Sequence, residues 1–159
     1  MPVEGSGQYA TKKAKDKDGQ RGKPETFDFL GFTHYCSTRQ DGSYSVKRKT
    51  SNKKYRASLL RVKLWIKENR HYPKKILMDA LKRKLLGYYR YYGITDNTSA
   101  LRSFRQEVRR HLFKYLNRRS QRRSYTWDGF ELFLKKYPLP KPKIYVNIFE
   151  LRTHLSYIL

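Results

Sequence analysis

The chain has 159 residues, with 37 Lys plus Arg against 13 Asp plus Glu for a net charge of +24, and 38% hydrophobic and 15% aromatic residues. That length suits one domain, or one domain and a tail, and a charge that large repels itself within a compact monomer while it attracts polyanions, nucleic acid before anionic membrane. A lone cysteine, Cys36, excludes an internal disulfide framework, no run reaches the length of a membrane span, and the N-terminus lacks the apolar segment of a secretory signal, so a cytoplasmic protein with no membrane partner is expected.

Residues 1–26 are rich in Gly, Lys and Asp, with Tyr9 as their only aromatic, and are read as a mobile basic arm. Residues 27–50 read as a β-hairpin. Phe27, Phe29, Phe32 and Tyr35 belong to one strand, with Gly31 as a bulge or close backbone approach. Gln40-Asp41-Gly42 is the turn, and Tyr44, Val46 and Arg48 alternate with Ser45, Lys47 and Lys49 in a second strand. Such a hairpin is too small to be stable alone and is expected to pack on the helices after it.

From Thr50 the period becomes helical. Ser51 or Asn52 can cap a first helix that carries Tyr55, Leu59, Val62 and Ile66 on one face and ends near Asn69. His71-Tyr72-Pro73 breaks it. A second helix spans about Lys74 to Tyr92, with Leu81, Leu85, Tyr88 and Tyr92 on its apolar face and Gly93 at the C-cap position. Its last turns interleave Lys82, Arg83, Lys84 and Arg90 with four tyrosines. Cations suit the phosphates of RNA, and flat rings suit its unstacked bases. Thr95 to Thr98 is a loop rich in capping residues, before a third helix from about Ser99 to Leu116 with Leu101, Phe104, Val108, Leu112 and Tyr115 inward. Asn117 to Ser124 is a basic linker. Thr126 caps a short helix through Trp127, Phe130, Leu134 and Tyr137, and Pro138, Pro140 and Pro142 then stop regular structure. Residues 144–159 form a tail that the pattern leaves unplaced. The fold class expected is α+β, mainly helical: an N-terminal β-hairpin packed on a three-helix bundle with a short fourth helix.

The charge is concentrated. Residues 47–123 hold 25 of the 37 cations and only four acids, Glu68, Asp79, Asp96 and Glu107, a net +21. A surface built only for solubility mixes signs more evenly. Polymerase or nuclease chemistry needs clustered carboxylates for divalent metals, and here no two acids are adjacent. His34 and Cys36 are close, but they alternate with Thr33 and Tyr35 on a strand, and His71, His111 and His154 are scattered. No Gly-rich phosphate loop joins a strand to a helix. Neither an enzyme nor a metal or cofactor site is expected.

Residues 22–33, GKPETFDFLGFT, resemble the last reverse-transcriptase block of bacterial group II intron-encoded proteins. Residues 46–51 (VKRKTS), 84–93 (KLLGYYRYYG) and 116–121 (LNRRSQ) resemble the thumb, or maturase-specific domain X, that comes after that block, and residues 138–142 (PLPKP) are similar to its close. The match runs in order from about Gly7 to Ile144. It implies a three-helix thumb over residues 51–143 that grips structured group II intron RNA and assists its folding and splicing. The family's fingers, its palm with the Tyr-x-Asp-Asp motif and its downstream DNA-binding and zinc-bearing endonuclease regions are absent, so its polymerase activity does not carry over. The residues expected to touch RNA are Lys47, Arg48, Lys49, Lys53, Lys54 and Arg56 at the hairpin-to-helix junction, Lys82, Arg83, Tyr89 and Arg90 on the second helix, and Arg118, Arg119, Arg122 and Arg123 after the third. The rival readings are a remnant of a truncated intron frame with no function, a thumb subunit completing a reverse transcriptase in trans with a palm chain, and a general module that also binds DNA non-specifically.

Overall fold

A computed structural model describes residues 25–119 and 125–155, with the side chains of 152–155 excepted. Most of the arm predicted over 1–26, and the linker arginines Arg122 and Arg123, lie outside the described residues. The chain divides into two units, one ending at Arg48 and one beginning at Lys49. Among the described residues a three-stranded antiparallel sheet, β1 (Phe27–Phe29), β2 (Phe32–Thr38) and β3 (Tyr44–Thr50) in that spatial order, precedes five helices: α1 (Asn52–Asn69), α2 (Lys74–Tyr92), α3 (Thr98–Leu116), α4 (Trp127–Lys136) and α5 (Ile148–Leu155). The class is α+β and mainly helical, as the sequence predicts.

The single long strand expected from Phe27 to Tyr35 is in fact two. The chain reverses at Leu30 and Gly31, whose φ angles of 50° and 83° are both left-handed, and Phe29 pairs with Phe32 across that two-residue turn. Two consecutive positive φ values are what a tight hairpin turn needs to match strand twist. Gly31 supplies one without strain, and Leu30 accepts the other. Phenylalanines lie on both sides of the turn, which is why the stretch reads as one strand, although the alternation of Phe27 and Phe29 changes parity at Phe32. His34 stacks on Phe27 at 4.8 Å, and Cys36 is exposed. The second turn is as expected: Asp41 Oδ1 accepts from Ser43 N and Oγ at 2.9 and 2.6 Å, and Gly42 has φ 80°.

Helix α1 starts at Ser51, whose Oγ accepts from Lys54 N. Helix α2 runs back along α1, with Trp65 beside Lys84 near the far end. Helix α3 then runs in the direction of α1, so that the Tyr55 hydroxyl meets Ser103 Oγ at 2.9 Å and Lys63 lies near His111. Burial, with Lys63 next to it, holds the His111 imidazole below its ordinary pKa. The core comes from Ile66 of α1, Leu77, Leu81, Leu85 and Tyr89 of α2, and Leu101, Phe104, Val108 and Leu112 of α3, all fully buried. Helix α4 is capped by Thr126, whose Oγ1 accepts from Gly129 N, and docks through rings: Trp127 stacks on Phe113 at 3.9 Å, and Phe130 and Phe133 are buried.

The three long helices are locked at one end by Asn97, only 1% exposed. Its Oδ1 accepts from Thr50 N, and its Nδ2 donates to Thr50 Oγ1 and to Tyr92 O, all at 2.8 Å. One amide thus joins the start of α1, the end of α2 and the start of α3. Asn97 sits at the N-cap of α3 yet makes no side-chain cap bond, because its side chain is committed elsewhere. The preceding Asp96 takes up the left-handed φ of 76° that turns the chain.

Gly93 does not close α2 in the left-handed conformation expected of a C-cap glycine. Its φ and ψ are −77° and 61°, an inverse γ-turn closed by Ile94 N donating to Tyr92 O at 2.9 Å. Any residue can adopt that turn; space is what demands glycine here. A Cβ would lie 2.3 Å from Tyr89 O and 2.6 Å from Lys143 O. The tail segment fills that space. Tyr145 N and Val146 N both donate to Gly93 O, Ile94 pairs in parallel with Val146, and Thr95 Oγ1 accepts from Ile148 N. Arg105 holds the proline segment from the other side, donating to Pro140 O and Leu139 O. The part of the tail up to Ile148 therefore has a definite place, on the loop between α2 and α3.

These contacts lead to two expected outcomes. Asn97→Ala leaves the buried Thr50 amide and Tyr92 carbonyl short of partners and is expected to cost about 2–4 kcal/mol in chemical denaturation. Gly93→Ala must push the tail away and is expected to cost about 1–3 kcal/mol, with hydrogen exchange speeding up at Tyr145 and Val146. Unchanged midpoints would show that neither contact supports the bundle.

Candidate nucleic-acid interface

Helix periodicity sets which cations can work together. Lys54 and Arg61 are seven residues apart on α1 and share a face. Lys84, Tyr88 and Tyr91 recur at i, i+4 and i+7 on α2 and also share one. Because α2 runs back along α1, these two faces look at each other. Between them is an open cleft of about 480 Å³ lined by Lys54, Ser58, Arg61, Val62, Lys84, Tyr88, Tyr91 and Tyr92, with Phe104 of α3 as its floor. Three cations and no carboxylate line it.

The lining is held in place. Tyr88 stacks on Phe104 at 3.7 Å and 10°, so the floor is a pair of rings. Burial pushes the Tyr88 hydroxyl well above the ordinary phenol range. Arg61 Nη2 donates to the buried Ser58 Oγ at 3.3 Å. Lys84 Nζ lies 5.0 Å from the centre of the Trp65 ring, a cation–π contact that fixes the ammonium at the rim. Tyr91 is 60% exposed and stands edge to face with Tyr92, 4.7 Å away.

The residues expected to touch RNA fall into four groups. Lys54 lines the cleft. Lys53 and Arg56 are exposed on other faces of α1's first turns, and Lys82, Arg83 and Arg90 are exposed on other faces of α2. Lys47 and Arg48 are half-buried on β3, and Lys49 is exposed. Arg118 is exposed, whereas Arg119 is partly engaged, donating to His71 O at 3.1 Å in the loop between α1 and α2. Tyr89 is a correction. It is 0% exposed and packs in the core between α2 and α3, so it cannot stack on a base. By periodicity Tyr88 lies within the apolar stripe of α2 and Tyr89 at its edge, about 100° away. The contact with α3 decides which ring goes under completely, and sequence periodicity does not contain that contact.

Arg61 and Tyr91 join the site only through the structure. Arg61 belongs to no local charge cluster that would draw attention, and Tyr91 is one tyrosine among four. The signal is present as spacing: Lys54 with Arg61, and Lys84 with Tyr88 and Tyr91, are the pairs and triples that repeat at helical intervals. Among the described residues no three His, Cys, Asp or Glu side chains gather to hold a metal ion, and no helix is long and apolar enough to cross a membrane.

No protein-family model, curated protein or solved structure matches the chain. The functional reading therefore rests on the residues themselves and on their arrangement.

The burial of Tyr89 has a measurable consequence. Its hydroxyl meets no hydrogen-bond partner among the described residues, and burial pushes its pKa up to about 12 from 10.0. Tyr89→Phe removes an unpaired polar atom and is expected to be neutral or stabilising by up to about 1 kcal/mol, whereas Tyr89→Ala empties a core site and should cost about 3–5 kcal/mol. The folded state favours the neutral phenol, so this contribution is complete below pH 10 and is lost as pH rises towards 12. The stability difference between Tyr89→Phe and wild type, followed by denaturation from pH 8 upward, should widen in favour of the variant above about pH 10.

Proposed function

We propose that the chain is a non-catalytic RNA-binding domain of the maturase type, which binds structured group II intron RNA and assists its folding and splicing. The observation that carries this reading is the α1–α2 cleft, where three cations and exposed tyrosine face each other without a carboxylate, within a stretch of net charge +21. The resemblance of residues 22–142 to the end of the reverse-transcriptase block and the thumb of intron-encoded proteins supports the RNA class. The mechanism is electrostatic and geometric. Lysines and arginines on α1, α2 and beyond α3 neutralise phosphates where intron helices approach one another, and the bundle offers a fixed surface for them to close on. An A-form helix is read through its backbone and shape, so folded RNA should be preferred to sequence.

Bare affinity does not test this, since a protein of this charge attracts any nucleic acid. The test is competition at about 0.15 M salt between folded group II intron RNA and duplex DNA of equal length. Folded RNA is expected to win, and its affinity should fall with salt along a log–log slope that reports the number of phosphates touched. Changing Arg118, Arg119, Arg122 and Arg123 together to alanine should flatten that slope by up to about four units if each touches one phosphate. Equal affinity for both nucleic acids would refute the maturase reading.

A further inference from the structure

The cleft between α1 and α2 has a size and a chemistry that go beyond a general phosphate-binding surface. A crevice of this volume between two helices of one small bundle admits a flat ring but is far too small for a duplex. Its volume of about 480 Å³ is that of a small-molecule site. Lys54 and Arg61 are seven residues apart, about 10 Å along the axis of α1. They therefore stand towards opposite ends of the cleft, with Lys84 across from them on α2. Tyr91 offers the exposed ring, braced edge to face by Tyr92, while the Tyr88 ring is already stacked on Phe104 and forms the floor. Cations spaced along the walls around one braced aromatic suit a ligand with a flat ring in the middle and negative charge on both sides.

We propose that this cleft is a subsite for one unpaired nucleotide of a folded RNA, with its base against Tyr91 and its flanking phosphates on Lys54, Arg61 and Lys84. This rests on the RNA-binding reading and makes it specific. A paired strand can reach only the rim, because its bases are stacked inside the helix. A bulged or looped-out nucleotide can enter, and stacking on tyrosine tolerates any base. The domain would then recognise folded RNA partly by where its helices are interrupted.

The experiment uses the full chain and two RNA hairpins of equal length, each carrying one 2-aminopurine, in one case as a single-nucleotide bulge and in the other paired in the stem. The bulged hairpin should bind more tightly, and its fluorescence should be quenched on binding as the base stacks. Tyr91→Ala should abolish the quenching and weaken the bulged hairpin roughly 5- to 150-fold, with the paired hairpin unchanged. Tyr91→Phe should keep both properties. Arg61→Ala with Lys84→Ala should flatten the salt slope of the bulged hairpin by up to about two units. Equal affinity for the two hairpins, absent quenching, or equal weakening of both by Tyr91→Ala would overturn the subsite. If folded intron RNA still outcompetes duplex DNA in that case, the subsite falls alone. If that preference is also absent, the RNA-binding reading falls and takes the subsite with it.

Discussion

One buried amide sets the geometry on which everything else rests. Asn97 uses its carbonyl and both amide hydrogens on Thr50 and Tyr92, so the start of α1, the end of α2 and the start of α3 have one permitted relation. The cleft depends on it. Lys54 and Ser58 lie on the first turns after Thr50, and Tyr88 and Tyr91 lie on the last turn before the Tyr92 carbonyl that Asn97 holds. A shift of α1 along α2 by one residue would separate these two faces and leave Thr50 N–H without its acceptor. Buried polar groups tolerate no such loss, and so they can specify a register where apolar contacts alone would slide. Gly93 adds the tail to the same junction, since only a residue without a Cβ lets Lys143 and Tyr145 approach there.

Charge imposes the opposing constraint. Arg109 pairs with Glu131 and Arg110 with Glu107, but with 37 cations to 13 acids most cations have no carboxylate to pair with. Such repulsion costs stability at low salt and is relieved when a polyanion binds. The core answers with rings and leucines. Tyr88 on Phe104, Phe113 on Trp127 and the buried Phe130 and Phe133 give large apolar contact with little side-chain entropy to lose. RNA that binds only the folded state would then stabilise it by mass action.

The sequence is legible where one period governs one element. The helices, the Ser51 and Thr126 caps, the leucines of α2 and the inward face of α3 can be read from spacing alone. The pattern fails where two elements have to meet. The turn at Leu30–Gly31 divides a stretch that reads as one strand because phenylalanines lie on both sides of it, and the change of parity between Phe29 and Phe32 is the signal that marks it. Asn97 reads as an ordinary capping residue, since nothing local says that its amide is taken by Thr50, 47 residues away. Gly93 reads as a left-handed cap, and only the tail packed against it reveals the true reason for glycine. Tyr88 is the ring that a helical wheel puts on the apolar face of α2, yet it is Tyr89, about 100° away, that the packing against α3 buries completely. The candidate site divides in the same way: Lys54 is visible in a basic cluster, while Arg61 and Tyr91 acquire meaning only when α2 is laid against α1.

If RNA meets this protein along the facing sides of α1 and α2, ultraviolet cross-linking will show where. The full chain is cross-linked to a folded group II intron RNA, and the cross-linked peptides are identified by mass spectrometry. Cross-links are expected within residues 54–61 and 84–91, Tyr91 foremost, and none at Tyr89. Cross-links confined to the hairpin or to the arginines after α3, with both helix segments untouched, would contradict this placement of the RNA.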